Sequence, residues 1–117
     1  MSLDVDLYVM VDSGATEPMR VELFDANYTH NCNKMAEAAG IYQCVWRPEE
    51  CDPPINLARQ LIEPLRAGIK QMEDDPAKFI DLNPANGWGS YETFLPWLRE
   101  YLQACIEHPK AQVRACR

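Results

Sequence analysis

Two short stretches carry side chains that a scaffold alone does not require. Asn27-Tyr28-Thr29-His30-Asn31 places hydrogen-bonding groups on consecutive residues, between a strand-like segment and a helix-like one. His30 can give or take a proton there, and each asparagine offers both donors and an acceptor. Asn86-Gly87-Trp88-Gly89-Ser90-Tyr91-Glu92 sets a tryptophan between two glycines. Glycine lets the backbone approach a neighbour closely, and an indole lying flat can stack on a base, a sugar or a cation. These residues suit recognition of a small polar ligand. One wall would be Asn27, Tyr28, Thr29, His30 and Asn31; the other would be Asn86, Trp88, Tyr91 and Glu92. A strand end leading into a helix start would add unpaired backbone N–H groups, which suit an anionic or carbonyl group. Each stretch also has a plainer reading: a capped turn for the first, and an indole plugging the core for the second.

Catalysis asks for more. A nucleophile needs an adjacent base and a group that orients the base. His30 is the histidine away from a helix end, because His108 adjoins the helix-stopping Pro109. Cys32 lies close to His30 in sequence, yet the two could meet only through loop geometry. GxSxG, HExxH, Walker A and GxGxxG patterns are absent from the sequence. No residue is therefore assigned a catalytic role, and an activity would rest on His30 with Glu92. Glu92 has a structural reason of its own, since a carboxylate is favoured in the first turn of a helix.

The five cysteines, Cys32, Cys44, Cys51, Cys105 and Cys116, are odd in number and show no CxxC spacing. Beyond His30-Asn31-Cys32 no close ligand pairing exists, so neither a metal nor another cofactor is expected. Cys44 and Cys51 are the candidate disulfide, and the expectation is that they stay unpaired. Met1-Ser2-Leu3 runs straight into a charged, alternating segment with no signal-peptide pattern. A reducing, cytoplasmic setting with free thiols follows as the expectation. No apolar run approaches the roughly 20 residues that span a bilayer, so no membrane partner is expected.

Charge narrows the partners further. The chain has 18 acidic against 11 basic residues, a formal net charge of −7. Proteins that track phosphates concentrate Lys and Arg, so a nucleic-acid partner is not expected. An acidic surface could instead imitate DNA and bind a basic protein through Glu49, Glu50 and Asp52, or through Glu73, Asp74 and Asp75. The alternative is that both runs are solvated charges at helix ends and loops.

The elements that must position these residues follow from periodicity. With 117 residues, 47% of them hydrophobic and 25% charged, the chain fits a single domain with one core. Leu3, Val5, Leu7, Val9 and Val11 alternate with polar or outward residues, the pattern of a strand with one buried face. Asp12 to Pro18 has turn chemistry, and Met19, Val21 and Leu23 resume the alternation, which predicts an antiparallel hairpin. A short helix is expected from about Cys32 to Ala39, capped by Asn31 or Thr29 and stopped by Gly40. Ile41–Trp46 reads as an apolar connector. Asp52-Pro53 has the form of a helix start, followed by the stripe Ile55, Ala58, Leu61, Ile62, Leu65, Ile69 and Met72. Pro64 inside that stripe predicts a kink or a break.

Asp75-Pro76 repeats the start signal for a short helix through Phe79 and Ile80. Ser90 caps a last helix with the stripe Tyr91, Phe94, Leu95, Leu98, Tyr101, Leu102 and Cys105, bent at Pro96 and ended by His108-Pro109. Ala111–Cys116 forms a final strand on an edge of the hairpin, with Val113 inward. The expected fold is α+β: a sheet of about three antiparallel strands covered on one face by three to four helices. Its other face would carry Tyr8, Met10 and Phe24 among charges, a patch through which copies could self-associate.

The segments Asn27 to Asn31, Met35 to Tyr42, Ala58 to Gly68 and Asn86 to Glu92 together resemble a group of small, largely uncharacterised proteins of phages, prophages and bacterial genomes, especially actinobacterial ones. The resemblance covers most of the chain. It implies a phage or bacterial setting, the host cytoplasm if phage-encoded, and no particular activity. The polar density of the two segments favours a non-enzymatic binding protein with a polar pocket for a nucleotide-like or other small polar ligand, and the resemblance adds only the setting. A DNA-mimicking interaction protein and a small His30-dependent hydrolase or transferase are the alternatives.

Overall fold

The computed structural model describes residues 2–117. Strands β1 (Ser2–Val11), β2 (Met19–Thr29) and β3 (Gln112–Cys116) form an antiparallel sheet in the order β2-β1-β3. Between β2 and β3 run α1 (Asn33–Ala38), α2 (Tyr42–Trp46), α3 (Arg59–Asp74), α4 (Pro76–Ile80) and α5 (Tyr91–Glu107). Two three-residue 3-10 turns, His30–Cys32 and Pro48–Glu50, precede α1 and follow α2. The expected α+β architecture is present: a hairpin joined at its edge by the C-terminal strand.

The central strand follows its alternation from Leu3 to Val9, while Val11, expected on the buried face, is exposed beside the turn. Leu3, Val5 and Leu7 are buried in the core with residues of all five helices. The outer strand departs from the expected register. Leu7 faces Phe24 while Tyr8 faces Glu22, which leaves Leu23 as an extra residue, a β-bulge. One inserted residue exchanges the two faces. Phe24, Ala26 and Tyr28 therefore point at the core, and Leu23 is exposed. This corrects the placing of Phe24 on the outer face; its ring stacks on Tyr101 at 6.1 Å instead. Of the proposed self-association patch only Tyr8 and Met10 remain outside. On that face Asp6 is 4% exposed because Arg20 (2.8 Å) and Arg114 (2.9 Å) close over it.

The bulge also carries β2 further than the polar composition suggests. Asn27, Tyr28 and Thr29 are strand residues opposite Asp4, Leu3 and Ser2, not a loop.

Two further expectations about the helices are corrected. Ile41–Trp46 is not an irregular connector: α2 occupies Tyr42–Trp46 and buries Cys44, Val45 and Trp46. Asp52-Pro53 starts no helix; it lies in a bend, with a cis peptide bond. α3 begins later, at Arg59, where Gln60 Oε1 accepts the N–H groups of Asn56 and Leu57, both at 2.8 Å. These bonds tie down the approach to α3 and do not cap it: its N-cap is Ala58, with no side-chain cap. Pro64 does not break α3. It removes one backbone bond, but Leu61, Leu65, Gly68, Ile69 and Met72 on either side of it are buried, and that packing keeps the helix continuous. Gly68 is the close point of that contact, since a Cβ there would run into Ile41 Cγ2.

The first helix starts at Asn33 with Cys32 at its N-cap and no side-chain cap, since Thr29 caps the 3-10 turn before it, whereas the signals at Asp75 and Ser90 act as written. Asp75 accepts from Lys78 N at the head of α4. Ser90 and Thr93 form a reciprocal capping box at the head of α5, which continues through Pro96 to Glu107. Trp46, Tyr101, Phe79 and Phe94 are the largest fully buried side chains. Among the described residues no helix is long and apolar enough to cross a membrane.

Candidate functional site

The end of β2 and the loop before α5 meet around a cleft of about 690 Å³, lined by Ser2, Asn27, Tyr28, Thr29, His30, Asn31, Asn86 and Trp88. That volume lies within the range of small-molecule sites, roughly 300–1,000 Å³. The two segments are distant in sequence, and three local features bring them together.

Tyr28 is the first. Its ring packs on Phe94 and Trp97, with centroids 5.0 and 5.6 Å away. Its hydroxyl accepts the Ser90 N–H at 3.1 Å and lies 2.7 Å from Thr93 Oγ1. The strand end is thereby bonded to the cap of α5, and burial pushes the phenol above its ordinary range. Gly89 is the second. It has φ +88°, and a Cβ there would lie 2.7 Å from Thr29 Cγ2 and 3.1 Å from Cys32 Sγ. Only glycine permits both that backbone and that approach. Third, Asn86 Oδ1 accepts the Trp88 N–H at 3.0 Å, which folds the loop back on itself.

Trp88 is 71% exposed. It does not plug the core; the buried indole is Trp46, 1% exposed. Trp46 Nε1 donates to His30 Nδ1 at 2.9 Å. An indole N–H can only donate, so Nδ1 is the unprotonated nitrogen and the neutral ring carries its hydrogen on Nε2. His30 is thus fixed as a hydrogen-bond donor on its free side.

The expected seat for an anion at a helix start is not built. The turn after β2 is three residues long, and Thr29 Oγ1 accepts the Asn31 N–H at 3.2 Å. At α5, the N–H groups of Ser90, Tyr91 and Thr93 are taken by Tyr28 Oη, Asn83 Oδ1 and Ser90 Oγ. Among the described residues, no Asp, Glu, Lys or Arg lines the cleft. An adjoining depression of about 460 Å³ shares His30 and Asn31 and holds Lys34 together with Asp81.

Of the residues proposed from sequence, Asn27 to Asn31, Asn86 and Trp88 share the cleft, whereas Tyr91 and Glu92 do not line it. Helical geometry separates them from Trp88: α5 begins at Tyr91 and turns its side chain toward α3, where the hydroxyl donates to Met72 O at 2.9 Å. Glu92 stands exposed in the first turn. Sequence reasoning missed Ser2 and the orienting Trp46. Ser2 pairs with Thr29 through the register shifted by the bulge; carried straight from Val11 and Met19, the hairpin would have set it opposite Tyr28, in the same segment. Trp46 left no local signal, being 16 residues from His30.

Thiol and acidic candidates fare differently. All five cysteines are free. Burial pushes Cys44 and Cys105 up to about 12, and raises Cys32 as well, so none of these is a ready thiolate. Among the described residues no cluster of three or more His, Cys, Asp or Glu could hold a metal. Much of the acidic material is paired internally: Glu49 with Arg117, Glu50 with Arg47, Glu73 with Arg99 and Asp74 with Lys70. Comparison with protein-family models, curated proteins and solved structures finds no match to this chain.

Proposed function

We propose that this is a non-enzymatic binding protein whose cleft, between the end of β2 and the Asn86–Trp88 loop, holds a nucleotide-like or other small polar ligand. The observation that carries the reading is Trp88, an indole left 71% exposed at the rim of a cleft of amides, hydroxyls and an imidazole. Leaving a side chain of that size in water forgoes on the order of 2–3 kcal/mol of burial. A flat ligand stacked on the ring would recover part of it.

The Trp46 bond supports binding over catalysis. With Nδ1 occupied and Nε2 carrying the hydrogen, His30 offers the cleft a donor. It can act as a base only after giving up the indole. The resemblance of the chain's segments adds the setting we propose for this binding, a bacterial or phage-infected cytoplasm.

A thermal-shift screen against nucleosides, nucleotides and neutral metabolites tests the proposal. A ligand should raise Tm, and Trp88→Ala or His30→Ala should remove the shift. A shift that survives both substitutions, or no shift from any compound, counts against it.

A further inference from the structure

The chemistry of the walls narrows the ligand beyond its size; this step rests on the reading of the cleft as a binding site. Phosphate groups are held by Arg or Lys, or by free N–H groups at a helix N-terminus. Among the described residues the cleft has neither, the unbonded Glu92 N–H at the head of α5 lying outside its lining. No cationic side chain lines it among the described residues, and the Ser90, Tyr91 and Thr93 N–H groups at the nearby start of α5 are already bonded. The chain's net charge of −7 adds a field that opposes an anion. Bringing in a phosphate would strip its water and return nothing of equal strength.

What the walls offer is neutral and two-sided. The side-chain amides of Asn27 and Asn31 make no hydrogen bond to the rest of the described chain, so donors and acceptors of both are free. Asn86 has committed its oxygen to Trp88 N, which leaves its amide hydrogens. Thr29 has committed a lone pair to Asn31 N, which leaves its hydroxyl hydrogen. His30 presents Nε2–H. Groups of this kind match hydroxyls or the edge of a base, and the exposed Trp88 ring matches the apolar face of the same ring system.

We infer that the cleft selects an uncharged ring with a flat face and a polar edge, a nucleoside or a simple glycoside, over the phosphorylated form of the same compound. Calorimetric titrations with matched probes test this: adenosine and uridine against their monophosphates, and methyl glucoside against glucose phosphate. At least one neutral probe should bind about tenfold or more tightly than its phosphorylated partner. Trp88→Ala, at a site too exposed to disturb folding, should abolish that binding while leaving Tm unchanged.

Whether the base or the sugar is the favoured ring is read from which neutral probe wins. Equal or tighter binding of a phosphorylated probe, still lost in Trp88→Ala, overturns the selection for neutral ligands and leaves the cleft as the binding site. Binding that Trp88→Ala and Asn31→Ala both leave intact, or no binding by any probe, overturns the cleft reading and this inference with it.

Discussion

Trp46 Nε1 donates to His30 Nδ1 at 2.9 Å, and so a buried indole on α2 decides which nitrogen of a cleft histidine carries hydrogen. Trp46→Phe keeps the ring and removes the donor. His30 should then sample both neutral tautomers, whereas in the native protein the Nε2–H form alone is expected. Imidazole nitrogen NMR reads this directly. Loss of the bond and the stranded acceptor should cost about 1–3 kcal/mol in urea unfolding.

Gly89 and Gly87 separate backbone strain from crowding. Both have positive φ, +88° and +76°, but a Cβ at Gly87 meets open space while one at Gly89 meets Thr29, Cys32 and Tyr28. Gly87→Ala should cost about 1–2 kcal/mol for the left-handed backbone alone. Gly89→Ala should cost more and should weaken ligand binding as well, because the loop must retreat from β2. Denaturation and titration of the two variants side by side check the contrast.

Asp6 shows the same logic on the outer face of the sheet. Arg20 and Arg114 both reach it, one from each flanking strand. Either arginine alone can keep the buried carboxylate paired, so single alanine substitutions should be mild. Arg20→Ala with Arg114→Ala leaves that charge alone and should cost about 3–5 kcal/mol, more than the two singles summed.

The thiols should react in the order of their exposure. Cys116 is exposed, and at pH 8 a short pulse of alkylating reagent should label it first, as read by mass spectrometry. Cys44 and Cys105, pushed up to about 12, should be labelled only after unfolding. The sign for stability follows from the same shifts. These thiols keep their protons in the folded state above pH 9, where the unfolded chain has begun to lose them. Stability should therefore fall as pH rises from about 9 toward 12, which unfolding curves across that range would show.

Much of this architecture was legible in the sequence, and the misses share a cause. The Leu3-Val5-Leu7 alternation, the caps at Asp75 and Ser90, and the terminal strand with Val113 turned inward are local patterns that local physics decides. The bulge at Leu23 is not local. A single extra residue is tolerated because Phe24 gains Tyr101 and Tyr28 gains the head of α5, contacts made with residues far along the chain. Asp52-Pro53 misled for a related reason: the chain from Pro54 to Leu57 is tied to the Gln60 side chain and bridged to Gln112 in the terminal strand, and the helix begins only at Arg59. In the cleft, the polar run and the tryptophan loop announced themselves by composition. Helix direction then carried Tyr91 and Glu92 away, and no spacing rule pairs Trp46 with His30.

Two-dimensional amide NMR with a bound neutral probe tests the central claim most directly, that the β2 end and the tryptophan loop together hold a guest. Shifts should concentrate at Asn27 to Asn31, at Asn86 and at the Trp88 indole N–H, with the outer sheet face around Asp6 still. Perturbation centred anywhere else, or an unmoved Trp88 indole signal under saturating probe, would contradict it.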